Sequence, residues 1–419
     1  MLPNLWKIYN LRESPYFQDT LGNSQNRHPL TLFVGRQTEA KQLLATIGGS
    51  GSSRQAIGGP PGVGKTTLVQ SVKATAFESG YWATDGVVPF YPEDTVAQVL
   101  GRVLGGLYDA ILTARPMTAD APAMQTAQQL VRVSRLQSGG VNLSLMGLGG
   151  GFNRGESAST PPEALLLDGP RIINELLKLV RGSDGNGVLL HLNNLENLSE
   201  KDATNAADIL RSLRDTVLLQ EGLHVLIVGT TDAVMTVTSA HTQVRSVFTT
   251  PIILEPLPIV DVKALLTARY KHLRLDTKRD AIPPVADQAI EELYPLFRGD
   301  LRSLLKALEE GTTLLMGVTS NADGSIPLAE LRPALKQRYA ALIQHLTQAR
   351  RDQLVAWAKA GPAIEHDQGT LQTLWKITQG TVSTVIADLS KDGYVAAMPK
   401  NDTRITKYVL TGMSRLIFD

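Results

Sequence analysis

The stretch that decides the fold stands at residues 59–67, where the chain reads Gly59-Pro60-Pro61-Gly62-Val63-Gly64-Lys65-Thr66-Thr67. It matches the pattern G-x-x-x-x-G-K-[ST] in full. Residues 53–58 before it suit a short strand, and residues 68–76 after it suit a helix. A strand, a glycine-rich loop and a helix in this order aim backbone N–H groups at a polyphosphate. A glycine-rich turn without a ligand is the alternative, and the flanking strand and helix argue against it.

The motif also predicts roles for two side chains of the loop. Lys65 is expected to reach the β- and γ-phosphates, and the Thr66 hydroxyl to hold Mg²⁺. We therefore predict a nucleoside triphosphate site with Mg²⁺. The predicted nucleotide contacts of the loop are Gly59, Pro60, Pro61, Gly62, Val63, Gly64, Lys65, Thr66 and Thr67.

Composition is that of an ordinary globular protein. The 419 residues suffice for two or three domains with their own cores. Hydrophobic residues make up 43% and the net charge is +1, so overall charge gives no indication of nucleic-acid binding. The absence of cysteine excludes disulfides and thiolate metal sites, and it fits a reducing cytoplasm.

No targeting or membrane segment is evident in the sequence. Residues 1–7 lack the basic start and apolar run of a signal peptide. No apolar stretch approaches the roughly 20 residues of a membrane-spanning helix. We therefore expect a cytoplasmic protein without a membrane partner.

Sequence pattern divides the chain into three predicted domains, at residues 1–255, 256–345 and 346–419. In the first, strand-like and helix-like segments alternate, which indicates a parallel sheet covered by helices. Its candidate strands are nearly continuous apolar runs, as expected of strands buried on both faces. They comprise residues 86–90, 187–192, 224–229 and 252–254.

A glycine-rich insertion is predicted within the first domain, at about residues 136–157. Residues 138–152 alternate apolar and polar side chains and then become rich in glycine. Three interpretations stay open: a hairpin or surface loop, a hairpin that faces DNA or another subunit, and a membrane-inserting loop. The run is too short to span a bilayer.

With these features placed, the chain resembles the AAA+ ATPases over nearly all of its length, most of all the replication-initiator clade and the related STAND ATPases. The resemblance implies a RecA-like P-loop αβα sandwich, a helical lid and a C-terminal winged helix-turn-helix. It also implies ATP as the nucleotide. Gly35 and Arg36, in the stretch Phe33-Val34-Gly35-Arg36, resemble the family's box on the adenine side.

Two further stretches resemble the family's sensor motifs. Residues 229–232 end a candidate strand at the place of sensor 1, with Thr231 as the orienting residue and Asp232 as the alternative. A plain turn is the other interpretation. Residues 297–305 resemble the Gly-Asp-x-Arg signature that opens the lid helix. There Arg302 is assigned as sensor 2, which reaches the γ-phosphate.

The resemblance also implies assembly. Arg245 stands just before the last candidate strand, roughly where initiator ATPases carry the arginine finger for the neighbouring subunit. Such a finger places positive charge on a transition state in the adjoining site. The sequence therefore predicts a homo-oligomer, unless Arg245 is simply an exposed arginine.

One departure from the family pattern concerns hydrolysis. The strand at residues 187–192 should end in Asp-Glu but continues Asn193-Asn194-Leu195-Glu196. Asn193 can accept a hydrogen bond from magnesium-bound water without supplying charge, and Asn194 cannot act as a base. Glu196 is the remaining acidic candidate. We therefore predict ATP binding with slow or partner-dependent hydrolysis.

The last 75 residues or so resemble a winged helix. Two helices are predicted at residues 371–378 and 381–391, followed by strands at 393–398 and 405–410. Lys plus Arg number nine against seven Asp plus Glu over residues 346–419, a weak charge signal for DNA. Protein interaction is therefore the alternative. The predicted DNA contacts are Gln379, Thr381, Ser383, Thr384, Lys400 and Arg404.

These features lead to one principal hypothesis and one alternative. The principal hypothesis is an ATP-dependent oligomerising switch that binds double-stranded DNA and recruits or licenses a partner protein in replication, transposition or defence. The alternative is a STAND-type signalling ATPase whose winged helix makes protein contacts.

Overall fold

The computed structural model describes residues 4–19, 21–22, 28–138, 162–316, 324–398 and 405–418. Apart from the end of a helix at Ser138, the insertion predicted at about 136–157 lies outside these residues. The helices are α1 (Gln37–Gly48), α2 (Lys65–Glu78), α3 (Val96–Ala114), α4 (Pro122–Ser138), α5 (Pro162–Gly182), α6 (Glu200–Ser212), α7 (Thr231–Ser239), α8 (Thr242–Arg245), α9 (Ile259–His272), α10 (Asp287–Leu296), α11 (Leu301–Leu315), α12 (Leu328–Leu342), α13 (Gln348–Ala360), α14 (Gln368–Trp375), α15 (Gln379–Lys391) and α16 (Gly412–Phe418). The strands are β1 (Ser53–Gly58), β2 (Tyr81–Trp82), β3 (Val88–Pro89), β4 (Gly187–Asn193), β5 (Leu223–Val228), β6 (Ile252–Ile253), β7 (His366–Asp367), β8 (Val395–Ala397) and β9 (Lys407–Leu410).

The central sheet has the order β2-β4-β5-β1-β6, with β3 also paired to β4, and each of these pairings is parallel. Helices cover both faces, so neighbouring residues of one strand enter different cores. On β4, Leu189 packs with α1 and α2, whereas Leu190 packs with α3, α5 and α6. Burial on both faces explains the continuous apolar runs in the sequence. The predicted RecA-like αβα sandwich is confirmed.

Strand register brings three loops together at one edge of the sheet. Ile57 of β1 pairs with Val228 of β5, and Leu192 of β4 pairs with Ile227. Because parallel strands end on the same side, the loops after β1, β4 and β5 meet there. The phosphate loop and the residues that follow Leu192 and Val228 are therefore neighbours in space.

The N-terminal segment packs against the predicted lid rather than against the central sheet. Tyr9, Leu11 and Tyr16 are buried in the same hydrophobic core as α9, α10 and α11. The Asn10 side chain adds hydrogen bonds, since its Nδ2 donates to the carbonyl oxygens of Asp276 and Arg279, both at 3.0 Å. The start of the predicted first domain thus forms part of the lid's core.

The C-terminal residues form α13 to α16 and a three-stranded antiparallel sheet in the order β7-β9-β8. Trp357 and Trp375 are buried in a core that continues into the lid. The elements follow the order expected of a winged helix, and that assignment stays a prediction. Lys400 and Arg404 lie outside the described residues.

Candidate functional site

A cavity of about 480 Å³ lies between the carboxyl edge of the central sheet and the lid. It gathers most of the residues that the sequence assigned to nucleotide binding. Glu196, one of the candidate catalytic residues, also lines it. The predicted nucleotide contacts on its wall are Arg36, Pro61, Gly62, Val63, Gly64, Lys65, Thr66, Thr67 and Arg302.

Glycine is required at two positions of the loop. Gly62 and Gly64 have φ angles of +76° and +94°, which side chains rarely adopt. Gly62 also packs directly against the lid, because a Cβ atom there would lie 1.9 Å from Oδ1 of Asp300. The loop and the first turn of α11 therefore form one continuous wall of the cavity.

Lys65 begins α2 and is 8% exposed. Its Nζ donates hydrogen bonds to the carbonyl oxygens of Gly59 and Pro60, both at 2.9 Å. Burial lowers the pKa of Lys65, and the charge of Arg302 acts in the same direction, while Glu196 and Asp300 oppose it. The loop thus holds the ammonium group beside the cavity, where a phosphate could take over from the two carbonyls as its partner.

The lid presents Arg302 to the same cavity. Asp300 caps α11: its Oδ1 accepts hydrogen bonds from the backbone N–H groups of Arg302 (3.0 Å) and Ser303 (3.2 Å). An N-cap of this kind satisfies N–H groups that have no partner within the helix. Arg302 is exposed and lines the cavity. Two cations, Lys65 and Arg302, therefore border the space in which the sequence expects a triphosphate.

Arg36 lines the cavity, but its guanidinium group is bound to protein groups. It donates to the carbonyl oxygens of Val63 (3.4 Å) and Glu255, and it pairs with Glu39 at 3.0 Å. Gly35 packs under the connection to the lid, with Leu257 Cδ2 3.0 Å from the position of a Cβ atom. These residues tie the predicted base-side box to the phosphate loop, whereas Phe33 and Val34 of the same box line the cavity.

The end of β4 is built differently from the phosphate loop. Asn194 adopts a φ of +77°, and its Nδ2 donates to the carbonyl oxygen of Phe90 at 2.7 Å. Its Oδ1 accepts from Asn197. Both polar atoms of the Asn194 side chain are thus used within the protein. Asn193 pairs with β3 through its backbone, and its Oδ1 is buried without a hydrogen-bond partner among the described residues.

The candidate catalytic residues at this edge differ in whether they line the cavity. Asn193 and Asn194 do not line the cavity, whereas the exposed Glu196 does. After β5, the residue on the cavity is Thr230 rather than Thr231. The reason is that Thr230 caps α7, so Thr231 is already the first residue of the helix. The catalytic roles assigned to these positions stay predictions.

Arg245 ends α8, is exposed and lies outside the cavity. Such a position leaves its side chain available to a second subunit. Its role as an arginine finger stays a prediction.

Sequence reasoning missed part of the wall. Gln18, Asp19 and Arg269 also line the cavity. Arg269 is 5% exposed although it is charged. A signal existed, because Arg269 falls in the apolar helical period of Val262 and Leu266, where a buried arginine requires a reason.

The donor groups present fit Mg²⁺. Among the described residues, no cluster of three or more His, Asp or Glu could hold a metal ion. Mg²⁺ is bound in nucleotide sites by one or two protein oxygens together with phosphates and waters. Thr66 and Glu196 both line the cavity and supply a hydroxyl and a carboxylate oxygen.

The predicted DNA contacts on α15 share its exposed face. Gln379, Thr381, Ser383 and Thr384 are exposed. The opposite face is buried and comprises Val382, Val385, Ile386 and Leu389. Packing thus leaves the polar residues at the start of this helix open to a partner.

In the part of the chain that the structure describes, no helix has the length and apolar character needed to cross a membrane.

Comparison with known proteins identifies the first part of the chain. Residues 32–228 match the family model described as AAA ATPase domain. No protein of curated function matches the sequence. Among solved structures, the chain is similar to the ORC2 protein of Aeropyrum pernix in its ADPNP and ADP complexes, with 15% identity, coverage of 96% of this chain and 95% of that one, and a TM-score of 0.48.

Two other solved structures are similar at the same level. One is a Walker-type ATPase of Pyrococcus abyssi, with 11% identity, coverage of 96% of this chain and 99% of that one, and a TM-score of 0.48. The other is the ORC1 protein of Aeropyrum pernix in complex with DNA, with 13% identity, coverage of 92% of both chains and a TM-score of 0.42. Likeness at this level assigns no function to the chain.

Proposed function

Residues 32–228 match the AAA ATPase domain, and from that premise we propose that the chain is an AAA+ ATP-binding switch rather than a fast ATPase. The observation that carries the proposal is the wall shared by the phosphate loop and the capped lid helix. It places Lys65 and Arg302 on one cavity of about 480 Å³. A volume of this size falls within the range of small-ligand and cofactor sites.

Slow hydrolysis follows from the end of β4. A general base or a water-polarising group must reach the attacking water within hydrogen-bond distance. The Asn194 side chain is bound to Phe90 and Asn197, and it carries no charge. Glu196 is the acidic group on the cavity at this edge. Because its side chain is exposed, it would hold the attacking water in no fixed position. Turnover is therefore slow or depends on a partner subunit that supplies Arg245.

Binding of ATP would act through the lid. The triphosphate would replace the Gly59 and Pro60 carbonyls as partner of Lys65 and draw Arg302 towards the loop. The loop and α11 would then share one ligand, which adds to the existing contact between Gly62 and Asp300 and fixes the lid relative to the central sheet. A fixed lid favours one relative placement of neighbouring subunits, and so ATP would promote the homo-oligomer.

We propose that the ATP-bound switch binds double-stranded DNA and recruits a partner protein. The exposed polar residues at the start of α15 support this proposal, since side chains of this kind bind base edges and phosphates. The proposal includes Lys400 and Arg404 as contacts to the DNA backbone, on the strength of the sequence.

A second candidate, a signalling switch with protein contacts, is favoured by how the C-terminal module docks. Gly412 packs on Phe297, with Cδ1 of that ring 2.2 Å from the position of a Cβ atom. Nη1 of Arg415 donates to the carbonyl oxygens of Pro295 and Leu296, at 3.3 and 3.2 Å. The module therefore contacts the end of α10 and the turn that leads into α11, where it could report the nucleotide state to another protein.

One experiment separates the two candidates. Duplex DNA is titrated with the ATP-bound protein in a mobility-shift assay at several salt concentrations. Binding that weakens linearly on a log–log scale with salt supports the DNA switch, because phosphate contacts release counterions. Assembly driven by ATP, without affinity for duplex DNA at low salt, supports the signalling switch instead.

A further inference from the structure

Part of the cavity wall is formed by an N-terminal strap, defined here as residues 14–19. Gln18 and Asp19 of this strap line the cavity. Phe33 and Leu265 contribute apolar wall beside them. A nucleotide with its triphosphate on the loop would leave the rest of this wall, the strap included, for its base and ribose.

Arg269 of α9 holds the strap in place. Its Nη1 donates hydrogen bonds to the carbonyl oxygens of Pro15 (3.1 Å) and Phe17 (2.8 Å). Its guanidinium carbon lies 3.9 Å from the centre of the Phe17 ring. His28 stacks on the same ring with centroids 3.5 Å apart and an interplanar angle of 8°. Phe17 is therefore held between two side chains, and the carbonyls on either side of Tyr16 are held by one arginine.

The environment of Arg269 points to a ligand. The side chain is 5% exposed, and its Nε is buried without a hydrogen-bond partner among the described residues. Burial lowers the pKa of Arg269 to about 10, so the group remains charged at neutral pH at a cost in desolvation. An apolar residue would fill this helical position without that cost. Arg269 also lines the cavity.

We propose that Arg269 is the positioning residue for the nucleoside: it fixes the strap as the base-side wall, so that affinity depends on the base and ribose and not on the triphosphate alone. The inference rests on the proposed nucleotide site. It predicts that two ends of one cavity are controlled by different residues, Lys65 for the phosphates and Arg269 for the nucleoside.

The test compares two probes, ATP and inorganic tripolyphosphate, each with Mg²⁺, by isothermal titration of the full chain. Arg269→Gln should weaken ATP binding by about tenfold or more, which is about 1.4 kcal/mol, and change tripolyphosphate affinity by less than about twofold. Arg269→Lys should recover part of the loss, because an ammonium group can donate to one of the two carbonyls. Lys271→Gln is the matched control, since it removes an exposed charge from the same helix.

Lys65→Ala separates failure of this inference from failure of the proposed function. If it abolishes binding of both probes while Arg269→Gln binds ATP normally, the inference is overturned and the nucleotide site stands. An equal loss of both probes in Arg269→Gln also overturns it, because the residue then acts on the whole site. If Lys65→Ala changes neither probe, the proposed function itself fails and the inference with it.

A second variant covers the case in which Arg269→Gln does not fold. Phe17→Leu keeps the arginine and its carbonyl partners but removes the ring between Arg269 and His28. It should weaken ATP binding by about threefold to tenfold, in proportion to a loss of roughly 1 kcal/mol, and leave tripolyphosphate binding unchanged. A Phe17→Leu protein that binds ATP as tightly as the wild type would overturn the role of the strap.

Discussion

The phosphate loop and the end of β4 lie at the same edge of one sheet, yet only the loop carries all the residue types that the family pattern expects there. In the loop, the glycines that require positive φ are present and Lys65 is in place beside the cavity. At the end of β4, the two expected carboxylates are amides, and Asn194 is bound to the backbone of Phe90. Binding and hydrolysis therefore depend on different residues at this edge, and the proposed switch retains those for binding.

The difference has a physical cause. Binding a triphosphate needs backbone N–H groups and positive charge, which a continuous loop of nine residues supplies. Hydrolysis needs charged oxygens placed within about 3 Å of a water molecule, and a neutral amide fails in charge even when its position is suitable. Substitutions in the two regions should therefore affect different properties of the protein.

The largest effect is expected at the phosphate loop. Lys65→Ala removes the cation that meets the phosphates, and we expect ATP affinity to fall by about 100-fold or more, the value of a strong charge-assisted hydrogen bond. The measurement is the rise in melting temperature with ATP and Mg²⁺. Lys41→Ala, which removes an exposed lysine from α1, is the control. A normal ATP-dependent shift in Lys65→Ala would refute the site.

A second variant tests the contact between loop and lid. Gly62→Ala adds a Cβ atom at a φ of +76° and 1.9 Å from Asp300 Oδ1. We expect the free energy of unfolding without nucleotide to fall by about 2 to 4 kcal/mol, through backbone strain and overpacking together. Gly64→Ala shares the strain, but nothing lies within 4 Å of its Cβ position. Equal losses in the two variants would show that Gly62 does not support the lid.

Turnover tests the other side of the comparison. The wild-type protein should hydrolyse ATP more slowly than about 1 s⁻¹, the lower end of the usual enzyme range. Glu196→Gln should reduce that rate by about tenfold, since it removes the charged oxygen on the cavity at this edge. Phosphate release under saturating ATP is the measurement. A dilute protein that turns over faster than this limit would contradict the switch.

Asn194→Ala separates an effect on turnover from an effect on stability. It should leave turnover unchanged, because the Asn194 side chain does not line the cavity. Its effect should appear in stability, with a loss of about 1 to 2 kcal/mol as the Phe90 carbonyl loses its donor. A drop in turnover without a drop in melting temperature would place Asn194 in catalysis after all.

The smallest effect is expected far from this edge. The double substitution Lys400→Ala with Arg404→Ala should weaken binding to duplex DNA regardless of its sequence and leave ATP affinity intact. Each phosphate contact that is removed should flatten the log–log salt dependence of binding by about one unit, so the double variant should flatten it by about two. Mobility shifts at several salt concentrations measure the slope. Wild-type slopes in the double variant would favour the signalling candidate.

Several elements follow from the sequence because their signals are local. The strand, loop and helix around Lys65 were predicted together with the roles of the loop residues, since glycine spacing and flanking apolar runs lie within 25 residues. Arg302 was assigned to the nucleotide site from its resemblance to the Gly-Asp-x-Arg signature, in which Asp300 supplies the cap of α11. The strand before the insertion was less well predicted: β3 covers only Val88–Pro89, because it pairs only with the end of β4.

Other site residues could not be found in this way, because their environment comes from distant parts of the chain. The donor to the Phe90 carbonyl lies 104 positions away at Asn194, and the group that holds Pro15 lies 254 positions away at Arg269. That Thr230 and not Thr231 lines the cavity depends on a local feature, the residue at which α7 begins. Sequence pattern locates helix ends less firmly than helices.

What the sequence by itself determined is therefore the phosphate side: a loop whose backbone conformation and charge are specified by contiguous residues, Gly62, Gly64 and Lys65. What only the tertiary structure decided is the use of the surrounding side chains. It directs Asn194 to Phe90 instead of to water, and Arg269 to the N-terminal strap instead of to solvent. The reason is physical: a hydrogen bond depends on which atoms come within about 3 Å, and packing sets that distance.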